Sequence, residues 1–171
     1  TFHGGRPSGY QPLLTRLQLR DNAGKLLEAA RCGDDILFEV SVLPHPDRYP
    51  VTLHLTVGSL RGDTLFACNM ARQLGEHLTL EEPSVITCAV RNCRLMPGRY
   101  TLRLALKSSG HVQDAIVDGL TFDVQPSDTY GTGRLPPSTP AYGHFLPEAE
   151  WSTSSVEASR TKCGEKLGAT P

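Results

Sequence analysis

An all-β antiparallel sandwich is the fold class this sequence predicts, and three observations predict it. Apolar residues recur with period two in several separate stretches, turn-forming residues fall between them at short intervals, and only one short stretch shows helical spacing. The 16 Gly and 13 Pro supply the turns. Connections of this length do not fit βαβ crossovers, which need a dozen residues or more. A closed barrel is the alternative architecture.

The elements follow in chain order. Residues 1–12 are rich in Gly, Pro and Ser and read as an arm or linker. Order is expected from Leu13, with Leu17 and Leu19 alternating against Arg16, Gln18 and Arg20. Asp21-Asn22-Ala23-Gly24 makes a turn. Ile36–Leu43 is the clearest strand: Ile36, Phe38, Val40 and Val42 share one face, and Leu37, Glu39 and Ser41 the other. Pro44, Pro46 and Pro50 impose a loop. Val51, Leu53, Leu55 and Val57 then point inward, with Thr52, His54 and Thr56 outward. Thr64–Phe66 is a brief strand. Residues 67–82 hold Met70, Ala71, Leu74 and Leu78 at helical spacing and read as one short helical turn or an irregular loop.

Ser84–Val90 is apolar enough on both faces to be expected under cover on both sides. Leu95-Met96-Pro97-Gly98 turns into a second clear stripe of Tyr100, Leu102, Leu104 and Leu106. Ala115–Val124 is the last strand, with Leu120, Phe122 and Val124 facing in and Asp118-Gly119 marking a bulge or bend. The total is seven to nine short strands over residues 13–151. Phe145, Leu146 and Trp151 read as a docked end, Tyr130 and Tyr142 as stitches that hold it, and 152–171 as a disordered tail.

Composition excludes several classes. Seventeen Lys and Arg against eighteen Asp and Glu give a net charge of -1, which argues against nucleic acid or an anionic membrane as partner. No apolar run approaches the ~20 residues of a spanning helix, and no signal peptide is evident. The chain opens on Thr1 and reads as a fragment of a longer protein. Cys32, Cys68, Cys88, Cys93 and Cys163 are odd in number and lack CxxC spacing, so reduced, mostly buried thiols are expected, with a hidden disulfide or redox role as the alternative.

Catalytic motifs are not found. There is no P-loop, no GxSxG elbow and no HExxH, and neither cofactor nor metal is expected. Gly131-Thr132-Gly133 follows the last strand but precedes prolines rather than a helix. Glu81-Glu82 reads as a solvated pair, and Asp114 and Asp118 as turn residues. The chain is therefore expected to bind rather than catalyse. Its candidate ligand residues are the outward side chains of two strands: Thr52, His54 and Thr56 on one, Thr101, Arg103 and Lys107 on the other. Short hydroxyls, an imidazole and long cations suit a hydroxyl-rich or carboxylated ligand, and they equally suit an ordinary solvated face. Tyr49 is the best-placed loop aromatic for stacking on a sugar.

An ordered series of segments sharpens this. Leu17–Gly24 (LQLRDNAG), Gly33–Val42 (GDDILFEVSV), Gly62–Asn69 (GDTLFACN), Leu95–Leu104 (LMPGRYTLRL), Phe122–Gly133 (FDVQPSDTYGTG) and Gly143–Trp151 resemble, in that order, the carboxy-terminal carbohydrate-binding domain of the ATP-binding subunit of Wzt-type O-antigen exporters. The resemblance implies an immunoglobulin-like or jelly-roll β-sandwich that binds a bacterial polysaccharide at its finished, non-reducing end. It also implies a homodimer formed by exchange of a terminal strand, a preceding ATPase domain and a membrane permease partner. The setting it implies is cytoplasmic, against the inner membrane. A protein-interaction module of an exporter or glycosyltransferase is the alternative function, and a sugar-active enzyme a further one.

Overall fold

The computed structural model describes residues 5–137 and 143–153. Eight strands and one short helix are found there: β1 (Leu14–Arg20), β2 (Ala30–Arg31), β3 (Ile36–Val42), β4 (Thr52–Ser59), β5 (Thr64–Asn69), α1 (Met70–Leu74), β6 (Ser84–Val90), β7 (Gly98–Ser108) and β8 (His111–Gln125). They form two sheets, ordered β1-β3-β6 and β2-β8-β7-β4-β5. All pairings are antiparallel except the two-residue β2–β8 contact. The expected sandwich is thus observed.

The inward stripes predicted for β3, β4 and β7 meet between the sheets. Ile36, Phe38, Val40 and Val42 of the small sheet pack against Leu53, Leu55, Val57, Leu102, Leu104, Leu106 and Phe122 of the large one. Phe38 meets Phe122 edge-on at 5.7 Å between ring centroids, the geometry that opposed ring quadrupoles favour. Tyr100 is buried beside them, and its hydroxyl donates to the Met96 carbonyl at 2.6 Å. Burial raises its pKa to about 12.

The ambiguous stretch 67–82 contains one short helix. Asn69 caps it by accepting from the Arg72 amide at 3.0 Å, and Gly75 ends it in the left-handed region. Asp35 ties two turns together, accepting from the Asn92 amide at 2.7 Å and from Asn22 Nδ2 at 2.6 Å. With Arg91 adding a charge-assisted bond, these lower its pKa to about 2.

Three expectations are corrected. β6 is covered on one face only: Val85, Thr87 and Ala89 are exposed, because β6 ends the small sheet and that sheet's outer face meets water. The late segment does dock, with the Leu146 amide donating to Arg94 and the Met96 amide to His144, and with Tyr130 Oη donating to Pro147. Trp151 takes no part and is 96% exposed, since the segment's hold on the body is made by Phe145, Leu146 and Glu148 before the chain reaches it. Tyr142 and residues 154–171 lie outside the described residues.

Asp114 is the third correction. It makes no turn but is fully buried between the sheets, on β8. It accepts from the Leu14 amide at 2.6 Å and from Arg6 Nε and Nη2 at 2.7 and 3.0 Å. Arg6 Nη2 also donates to the Leu14 carbonyl at 2.6 Å. A buried carboxylate needs this saturation, because leaving a charge without partners in the interior is strongly unfavourable. The arm is thereby drawn onto the body at residues 5–7. Gly5 accepts from the Val117 amide, and its own backbone lies so close to Asp118 that a Cβ would stand 1.8 Å from that carbonyl oxygen.

Asp114→Ala, which strands Arg6 and the Leu14 amide, is expected to lower the unfolding free energy by about 3 kcal/mol. Arg6→Ala is expected to cost less, because the 22% exposure of Arg6 lets water replace part of what is lost. Urea denaturation of both variants measures this; unchanged midpoints would show that the knot contributes nothing.

Candidate ligand-binding face and the family

β4 and β7 are neighbours in the large sheet, in register from Thr52 opposite Lys107 to Ser59 opposite Tyr100. All six outward residues singled out in the sequence therefore stand on one sheet face. Thr56 lies opposite Arg103, His54 opposite Ala105, and Gly58 opposite Thr101. Small residues continue the rows on either side, Ala67 beyond Thr56 and Ala115 beyond Ala105. The centre of the face thus carries little side-chain bulk.

The six differ in what they already do. Thr52 is only 6% exposed and its Oγ1 accepts from the Ala71 amide at 3.0 Å, so it holds α1 against the sheet. Asn69, the cap of α1, donates through Nδ2 to His54 Nε2 at 2.9 Å. Burial, with Lys107 and Arg72 nearby, lowers the His54 pKa below 6.5, so the imidazole is neutral at pH 7. Thr101 Oγ1 donates to the Ser59 carbonyl at 3.4 Å. Arg103 Nη2 donates to Thr64 Oγ1 at 3.0 Å, and among the described residues the rest of its N–H groups have no partner.

Beside Arg103 the face opens into a recess of about 250 Å³. Its wall is the bulge in β8, where pairing with β7 jumps from Leu102–Leu120 to Leu104–Ile116. Gly119 adopts a φ of 81°, which suits glycine and fits the bend expected at Asp118-Gly119. The recess gathers Arg103, Thr101, Thr121 and Asp118. Asp118 and Thr121 were not among the sequence-derived candidates, nor was Asn69. The Asp-Gly pair was the available signal for the bulge, but nothing in the sequence placed it opposite Arg103.

Other candidates resolve differently. Tyr49 packs on His45, with 5.1 Å between ring centroids, at the edge of its proline-bounded loop. The amides of Thr132 and Gly133, which a phosphate loop would present, donate instead to the Asp128 carboxylate. Glu81 is paired with Arg48. No cluster of three or more His, Cys, Asp or Glu suited to a metal is found among the described residues. No helix among them is long and apolar enough to cross a membrane.

The two unequal antiparallel sheets, with polar residues of β4 and β7 on the outer face of the larger one, define an all-β sandwich. The model of the Wzt C-terminal domain family matches residues 13–135, and the chain belongs to that family. The crystal structure of the C-terminal domain of Wzt superposes with a TM-score of 0.61 at 12% identity, covering 85% of this chain and 92% of that one. At that identity the likeness is one of fold. Weaker matches are a β-glucuronidase from Parabacteroides merdae (TM-score 0.39, 11% identity, 67% of this chain and 14% of that one) and a CARDB domain from Pyrococcus furiosus solved with di-metal ions (TM-score 0.35, 12% identity, 70% and 93%). No curated protein sequence matches the chain.

The lowered His54 pKa fixes the sign of a pH effect. The unfolded chain takes up the proton first, so His54 contributes stability above pH 6.5 that is lost as pH falls through the lower folded value. His54→Gln is expected to flatten the melting temperature between pH 7 and about 5 relative to wild type. Parallel curves for the two proteins would show that His54 protonates freely in the folded state.

Proposed function

We propose that this chain is the glycan-reading module of a polysaccharide exporter. In this reading it binds O-antigen, at the non-reducing end, on the outer face of the large sheet. Family membership supports the reading, since the Wzt C-terminal domain is a non-catalytic carbohydrate-binding module of its transporter. The observation that carries the assignment of the face is the meeting of Thr101, Arg103, Asp118 and Thr121 around one recess, with Thr56 opposite Arg103 on the adjoining strand.

Sugar hydroxyls both donate and accept, so a face with hydroxyls, a carboxylate and a guanidinium can pair with either role. Asp118 accepts from hydroxyls. Arg103 offers a planar fork suited to a carboxylate or phosphate cap. His54, neutral and held by Asn69, and Lys107 extend the polar row along the sheet. Thr52 ties α1 to the end of that row. The recess is smaller than the ~300–1,000 Å³ of pockets that enclose a drug-sized ligand. It suits one terminal unit, with the rest of the polymer lying across the open sheet.

The remainder of the reading concerns the parent protein. An ATPase domain accompanies this module, a permease subunit is its membrane partner, the assembly sits at the cytoplasmic side of the inner membrane, and two copies of the module act together. Recognition then selects finished chains, with no covalent step performed by this domain.

Calorimetric titration with matched polysaccharides, one with its natural non-reducing end and one with that end removed, tests the proposal. Saturable binding to the intact end alone is expected. Arg103→Ala should weaken it roughly tenfold, the equivalent of one charge-assisted hydrogen bond at a partly solvated site, with the melting temperature unchanged. Undiminished affinity in the folded variant would remove Arg103 from the site. Absence of binding to either polymer would favour a protein-interaction module.

A further inference from the structure

Two cysteines of different sheets meet at one edge of the sandwich. β5 ends the large sheet and β6 ends the small one. Cys68 of β5 lies opposite Leu55, and Cys88 of β6 lies opposite Phe38. Leu55 and Phe38 are both core residues, so both thiols are on inward rows. They line one cavity of about 250 Å³, with Leu53, Met70, Gln73 and Ile86. The nearness of Cys88 lowers the Cys68 pKa to about 7, and Cys68, together with burial, raises that of Cys88.

The surroundings separate this pair from the other described cysteines. Cys32 and Cys93 are buried, and burial raises the Cys93 pKa, as for inert structural thiols. Cys68 and Cys88 are only half-buried, behind exposed Leu74, Thr87 and Ala89. A thiol that is partly ionised, reachable from solvent and beside a second thiol has what a redox pair requires. No strand bridges β5 to β6; the backbone crosses between them only through α1 and residues 75–83.

We propose that Cys68 and Cys88 form a reversible disulfide that closes the β5–β6 edge of the sandwich, made by exchange with a small-molecule disulfide such as oxidised glutathione. The Cys68 thiolate attacks one sulfur of the reagent, the reagent's S–S bond breaks, and one glutathione leaves as a thiolate. The Cys88 sulfur, giving up its proton to solvent, then attacks Cys68 in the mixed disulfide and the second glutathione leaves. The protein loses two electrons and two protons, and oxidised glutathione becomes two reduced molecules. The bond covalently joins two sheets that otherwise meet here only through side chains. It leaves the outer face of the large sheet, on the other side of β5, unaltered.

The test uses the full 171-residue chain, incubated with oxidised glutathione, digested without reduction and mapped by mass spectrometry. A peptide pair joined through Cys68 and Cys88 is expected, with the intact chain lighter by two hydrogens and restored by dithiothreitol. The crosslink closes a loop of about 20 residues, so the oxidised protein should melt roughly 5–10 °C higher. Cys68→Ser and Cys88→Ser should each abolish that rise. Glutathione adducts on the two cysteines with no joined peptide would overturn the proposal, as would a joined peptide involving other cysteines. The peptide map is read on the wild-type chain, so the outcome does not depend on how well the variants fold.

Discussion

A carboxylate with no exposure to water cannot be left unpartnered, and meeting that requirement at Asp114 organises one whole side of the molecule. Its partners come from the other sheet and from the arm. The Leu14 amide fixes where β1 begins relative to β8, and Arg6 brings residues 5–7 down onto the β8 bulge. The Gly5 carbonyl then takes the Val117 amide, one residue from Asp118. The bulge is the wall of the recess beside Arg103. A buried ion pair is thus connected, through the arm and the β8 bulge, to the shape of the proposed glycan site.

The inequality of the two sheets matters for the same reason. Three strands cover the inner side of five, so the inward positions of β4 and β7 are filled mainly with Leu and Val, with Tyr100 among them, and most of their polar residues are left to the outer face. The ligand face is what remains after the core has claimed alternate positions. Small residues at Ala67, Ala105 and Ala115 keep that face shallow, and Thr52 ties it to α1.

Much of this was legible in the sequence because period-two patterning states directly which side chains face in. It gave β3, β4 and β7 almost residue for residue, and with them the six outward candidates. It did not give strand neighbours, since pairing partners are set by interactions between residues distant in the chain. Whether Thr56 and Arg103 stood side by side was therefore open until the register was known. β6 misled because apolar residues on both faces fit an edge strand as well as a central one; only its place at the end of the small sheet decides between them. Asp114 misled because a carboxylate before a strand usually serves a turn, and its true partners lie 100 and 108 positions away. Trp151 misled because a large apolar side chain gains by burial only where the body offers a surface within reach.

The separation between Arg6 and Asp114 also has a temporal side. Arg6 leaves the ribosome before its carboxylate partner, which is synthesised 108 residues later. At ~5–20 residues per second, Arg6 waits on the order of 5–20 s for Asp114. β3 and β6, or β4 and β5, can pair well before then. The wall of the recess is consequently among the last parts of the sandwich to be assembled, and a chain truncated within β8 would carry a formed core beside an unfinished site.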